Sequence, residues 1–209
     1  MTSPKRVFYV VYSKDEQPQR ILDAMCYLAD PNEKNRAHVT LRGPYPQRRN
    51  LPSASRTVEG ADIEVTGVDA FFRPGQNTVF FAVEAPELAR TWYKPDFPEY
   101  KPHLTIYDGP SREFAERLRR RLRAINPRFH FQASSLAPLV TRKGQGSLNL
   151  RTAYDEELVR DVTGKRVSAE DVPEISEDER IDLIADLCSR LVKHGVAEAE
   201  HRTRRRPSL

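Results

Sequence analysis

His38-Val39-Thr40-Leu41 and His103-Leu104-Thr105-Ile106 share one pattern: histidine, apolar, threonine, apolar. A β-strand sends alternate side chains to opposite faces. Each tetrad, read as a strand, therefore shows a histidine and a threonine on one face and two aliphatic side chains on the other. In a chain with five histidines, composition alone gives roughly 0.04 such tetrads. Two are present. Continuing the alternation adds Arg36 and Arg42 to the polar face of the first strand, and Lys101 and Tyr107 to that of the second. Arg42 and Tyr107 each lie four residues after their histidine and occupy equivalent slots.

The flanking sequence predicts the same order of elements around each tetrad. A Val/Phe/Tyr-rich strand over 7–13 leads to a helix over 17–28, a loop at Asp30-Pro31-Asn32, and the first His-strand, ended by Gly43-Pro44. A strand over 78–85 leads to a short helix over 86–93, a Pro-rich loop over 94–102, and the second His-strand over 103–107. Residues 45–60 read as an Arg/Pro-containing loop. Residues 63–73 form a hairpin with the strand at 78–85 through Pro74-Gly75-Gln76-Asn77. Ser111 caps a helix running to about Ile125, and strands are expected over 129–142 and 147–152. The fold class is α+β: two similar lobes, each presenting one His-strand to a central cleft.

Such a cleft suits phosphodiester cleavage. Attack on phosphorus needs a base, and departure of the alkoxide needs an acid. Imidazole serves both roles near neutral pH. Two histidines on opposite sides of a phosphate allow in-line displacement. Threonine hydroxyls can donate to the non-bridging oxygens, and Arg42 or Lys101 can hold the growing charge. His130, in Phe129-His130-Phe131, reads as a strand surface residue. His194 reads as a cation near a helix end.

The paired motifs in their contexts, HVTLRGPY over 38–45 and KPHLTIY over 101–107, resemble the 2H phosphoesterase superfamily, which includes 2′-5′ RNA ligase-like proteins and cyclic nucleotide phosphodiesterases. The resemblance covers residues 5–153. It implies that His38 and His103 are the catalytic pair and that Thr40 and Thr105 bind phosphate. It implies two pseudo-symmetric lobes of antiparallel sheet flanked by helices. The implied activity is metal-independent hydrolysis, or reversible ligation, of a cyclic phosphodiester or 2′-5′ linkage in RNA or a nucleotide. No cofactor and no metal are expected. The chain departs from the family at 45–60, where a helix would follow the first motif, and at 155–209, which has no counterpart. Two other readings use the same residues: a module that binds RNA ends or cyclic nucleotides without turnover, and a metalloenzyme with the histidines as ligands. The second lacks clustered His/Asp/Glu spacing.

The catalytic domain is expected over 1–154. It holds 24 Lys/Arg against 16 Asp/Glu, a net +8, which favours phosphate-bearing ligands. Residues 155–209 hold 10 against 14, a net −4. A helical C-terminal extension is expected over 155–200, with Gly164 ending one helix and Ser176-Glu177-Asp178-Glu179 opening another. Ile181, Ile184, Leu187, Leu191 and Val192 form an apolar stripe at helical spacing. A monomer with this stripe packed on the core is expected; a dimer through the same helix is the competing arrangement. Residues 201–209, with four arginines, read as a basic disordered tail. Arg119-Arg120-Arg121 reads as a solvated helix face that could also track a nucleic-acid backbone. Cys26 and Cys188 have no metal or disulfide spacing, so a reducing cytoplasm is expected. The apolar run at 7–12 is too short for a membrane span.

Overall fold

The computed structural model describes residues 5–31, 35–51, 57–91, 99, 101–142 and 154–204. Seven strands form one antiparallel sheet: β1 (Lys5–Val11), β2 (Val39–Tyr45), β3 (Asp62–Arg73), β4 (Gln76–Glu84), β5 (His103–Gly109), β6 (Phe129–Gln132) and β7 (Ala137–Arg142). Their order is β6-β3-β4-β5-β2-β1-β7, which sets the two His-strands side by side at the centre. β2 and β5 share one registered pair, Val39 with Leu104. Four strands lie on one side of that junction and three on the other.

Among the described residues, helices α1 (Glu16–Ala29), α2 (Arg112–Ile125), α3 (Glu156–Thr163) and α4 (Glu177–Arg204) accompany the sheet. They share a core with one sheet face. Val39, Leu41, Leu104 and Ile106, the apolar partners of the two tetrads, are buried there with Phe81, Phe114 and Phe131. Ile21, Leu22, Met25 and Leu28 of α1 complete that layer. Farther along β1 and β2, Val7, Tyr9 and Tyr45 form a small separate cluster with Leu51 against it. The Tyr9 hydroxyl bonds to the Arg49 backbone there, donating to its carbonyl and accepting from its N–H.

Several expectations change. β2 runs through Gly43-Pro44 to Tyr45, because Gly43 adopts a φ of 108° where a Cβ would come within 2.7 Å of the Val7 carbonyl oxygen. The stretch at 86–93 is a 3-10 turn over Pro86–Thr91, and 129–142 divides into β6 and β7. The strand expected over 147–152 lies outside the described residues. α2 begins and ends as expected: the Ser111 hydroxyl accepts from the Phe114 N–H at 3.2 Å, and Asn126 ends it in the left-handed region.

The C-terminal segment is no appendage. Val159, Ile181, Leu183, Ile184, Leu187, Cys188 and Leu191 are buried in the same core as the sheet. Val192 is half-buried against it. At Gly195 the backbone of α4 comes so close to β6 that a Cβ would meet Phe129 Cβ at 2.8 Å. The stripe therefore serves internal packing. α4 continues through His201 to Arg204; the rest of the expected tail, 205–209, lies outside the described residues. Arg119 and Arg121 pair with Asp69 and Asp182, so most of that arginine run is engaged within the chain.

Candidate functional site

The pairing of Val39 with Leu104 builds the site. In an antiparallel pair, the register carried one residue each way sets His38 opposite Thr105 and Thr40 opposite His103. Two histidines and two threonines thus form a diagonal square on the face away from the helices. All four are half-buried, while their apolar neighbours in sequence are buried.

Each histidine is oriented in the same way. His38 Nδ1 lies 2.6 Å from the Arg36 carbonyl oxygen, and His103 Nδ1 lies 3.0 Å from the Lys101 carbonyl oxygen. In both cases the acceptor is two residues upstream. A carbonyl can only accept, so Nδ1 carries the proton and Nε2 is left as the basic nitrogen. The flanks differ. His38 stands edge-on to Tyr12 at 6.3 Å, and the Arg36 guanidinium covers that tyrosine at 5.1 Å from its ring. His103 leans on Phe80 at 4.9 Å and meets Phe71 edge-on at 5.8 Å.

His38 is densely surrounded although part of its surface remains accessible. Burial lowers its imidazole pKa below the ordinary 6.5; the Arg36 carbonyl opposes the shift, and His103 nearby adds to it. The segment entering β2 is fixed by α1. Asp23, 8 % exposed, accepts from the Ala37 N–H at 2.8 Å and from Arg36 Nε at 3.0 Å. Gln19 donates to Asp23 at 2.7 Å and to the Ala37 carbonyl at 2.9 Å. Burial raises the Asp23 pKa, against these hydrogen bonds. The peptide whose carbonyl orients His38 is therefore held by a buried polar cluster.

A cavity of about 200 Å³ has Arg36, His38, Thr40 and Thr105 in its walls, with Phe8 of β1 and Leu139 of β7; among the described residues His103 lies outside its lining. Asp30 and Asp108 also reach it. The Asp108 carboxylate is engaged by Thr78 Oγ1 at 2.7 Å and Gln76 Nε2 at 3.0 Å.

The remaining expected site residues are less central. Arg42 does not share a face with Thr40: the two lie opposite Tyr9 and Val10, consecutive residues of β1, so a bulge at Leu41 breaks the alternation. Arg42 donates through Nε to the Thr91 carbonyl at 2.7 Å, tying β2 to the 3-10 turn. Arg36 is committed to Asp23 and Tyr12. Lys101 is exposed and paired with Glu99. Tyr107 is turned away from the cluster. A bulge separates the pairs Val79–Tyr107 and Phe80–Thr105, so the alternation breaks after Thr105. Tyr107 is buried against Phe114 at 4.9 Å, and its hydroxyl accepts from the Ser111 N–H at 3.1 Å. The sequence reading did not single out Asp23, Gln19, Phe71 or Phe80. The first two act across a loop, and the last two come from strands outside the tetrads.

Among the described residues, no three His, Cys, Asp or Glu side chains converge as a metal site, and no helix is long and apolar enough to cross a membrane. Comparison of the chain with protein-family models and with curated proteins gives no match.

Proposed function

We propose that this protein is a metal-independent phosphoesterase of the 2H type, acting on a cyclic phosphodiester or 2′-5′ linkage of RNA or a nucleotide. The observation that carries the reading is the repeated device of the two tetrads. Each histidine gives Nδ1 to the carbonyl two residues back and keeps Nε2 for proton transfer, with a threonine hydroxyl beside it. A structural histidine has no need of a second copy of that arrangement on the adjacent strand.

In hydrolysis, neutral His38 Nε2 takes a proton from water as its oxygen bonds to phosphorus. Protonated His103 Nε2 gives a proton to the departing alkoxide as the opposite P–O bond breaks. His38 is assigned the base because burial keeps it neutral to lower pH. Thr40 and Thr105 donate to the non-bridging oxygens, where charge develops. Ligation would run the same transfers in reverse. Description as two lobes belongs to this reading, with the single β2–β5 pair as their junction. So does a cytoplasmic setting, in keeping with two buried free thiols.

The test is a panel of 2′,3′-cyclic nucleotides and 2′-5′ and 3′-5′ oligonucleotides assayed in excess chelator. Turnover of a panel member that His38→Ala abolishes is expected. Activity that vanishes in chelator and returns with a divalent ion would reject metal independence.

A further inference from the structure

Beside His103 the sheet carries an aromatic surface that proton transfer does not use. Phe80 on β4 faces the same side as His103 and is buried beneath it. Phe71 on β3 rests on Phe80, with ring centroids 4.6 Å apart and planes 31° apart. Phe71 is 41 % exposed and is the one exposed large apolar side chain among the described residues. A single exposed apolar residue is ordinary on a surface. This one is fixed in place by a buried ring, on a strand, one side chain away from a histidine of the site.

The two flanks of the histidine pair are not equivalent. On the His38 side, the ring of Tyr12 is half-buried and covered by Arg36. On the His103 side, Phe71 keeps open aromatic surface. We propose that Phe71, backed by Phe80, is a stacking platform for the nucleobase of a ribonucleotide whose phosphate sits at the His38–His103 cluster. The proposal rests on the phosphoesterase reading and deepens it by naming the flank that takes the base. In a ribonucleotide, one sugar ring separates the base from its 2′ or 3′ phosphate, and the Phe71 ring stands 5.8 Å from that of His103. Stacking on an aromatic face accepts any base, since every base has a π-face. An acyl chain would need a longer apolar track. Around Phe71 the exposed residues Asp69, Arg73 and Gln76 are polar, which suits the edges of a base and not a lipid tail.

The experiment titrates the full chain with adenosine 2′-monophosphate and adenosine 3′-monophosphate, and with ribose 5-phosphate, which has sugar and phosphate but no base. The adenosine ligands are expected to bind roughly 10- to 100-fold tighter than the sugar phosphate. Phe71→Leu keeps apolar packing on Phe80 and removes the aromatic face, so it should erase most of that preference. Phe71→Trp should retain it. Circular dichroism checks that both variants fold. Equal affinity for the ligands with and without base, absence of binding by either, or a preference that survives Phe71→Leu would overturn the platform. Turnover of cyclic phosphates without base preference would overturn it and leave the phosphoesterase reading standing. A Phe71-dependent preference with no turnover of any cyclic phosphate would support the platform and sink that reading.

Discussion

A histidine with one nitrogen tied to a backbone carbonyl has one nitrogen left for chemistry, and here the arrangement occurs twice. Removing a positioned general acid or base costs on the order of 10²- to 10⁴-fold in rate. His38→Ala and His103→Ala should each lower kcat by such a factor, with small changes in KM. The double variant should be barely worse than the worse single, because both groups act in one transition state. Near-normal turnover in His103→Ala would make the second tetrad a coincidence. The lowered pKa of His38 has a separate consequence for stability. In the folded chain the imidazole resists protonation below its ordinary 6.5, whereas the unfolded chain takes the proton up. The contribution is fully present above pH 6.5 and is lost as pH falls below it. Denaturant titrations from pH 7.5 to 5 should show a downward slope that His38→Asn reduces; an unchanged slope would remove His38 from the account. The histidines and threonines were legible in the sequence because a period of two fixes which side chains share a face. Tyr107 and Arg42 were misread by the same rule, since bulges at Ile106 and Leu41 reset the period where composition gives no sign of them.

The elements that aim the site are α1 and the hairpin of β3 and β4. Asp23 on α1 and Ala37 before β2 lie 14 residues apart, and their hydrogen bond spans a loop, so no local pattern announces it. Asp23→Ala leaves the Ala37 N–H and the Gln19 amide short of a buried partner. A loss of about 1–3 kcal/mol in unfolding free energy is expected from denaturant titration. Asp23→Asn keeps the shape but turns an amide donor toward either Arg36 or Ala37, and it should fall between. If Asp23→Ala costs nothing, the cluster does not hold the entry to β2. Helix limits, by contrast, were readable from local chemistry. Ser111 caps α2, Asp155 caps α3 by accepting from the Leu158 N–H at 2.9 Å, and Gly164 ends α3 in the left-handed region. Ser111→Ala should lower stability by about 1 kcal/mol. Tyr107 also receives the Ser111 N–H, so a larger loss would show that the cap and the tyrosine act together.

At the scale of the whole molecule, the change of charge and composition after Tyr154 suggested a boundary, and packing erases it. Polar faces dominate the composition of amphipathic helices, so the buried stripe of α4 was visible while its target was not. That target is the core behind the two His-strands. Ile181, Leu183, Ile184, Leu187 and Leu191 of α4, with Val159 and Val172 before it, are each no more than 5 % exposed. Ion pairs run from Arg117 on α2 to Glu177 and Asp178, and Arg180 donates to the Leu28 and Ala29 carbonyls at the end of α1. Full burial of one aliphatic side chain contributes about 1.5–3 kcal/mol. Seven together contribute on the order of 10 kcal/mol, which is the size of a typical domain's whole stability. A chain ending at Tyr154 should therefore be insoluble, or remain in solution without a cooperative unfolding transition. Circular dichroism and a urea titration of the 1–154 fragment check this. A fragment that unfolds cooperatively at the midpoint of the full chain would mean that α3 and α4 only rest on a self-sufficient sheet. A fragment that regains a cooperative transition when a 155–209 peptide is added would locate the missing stability in that interface. Single cavities should follow the same logic on a smaller scale. Leu187→Ala, at full burial, should cost about 2–5 kcal/mol, more than truncation of any exposed residue on the outer face of α4.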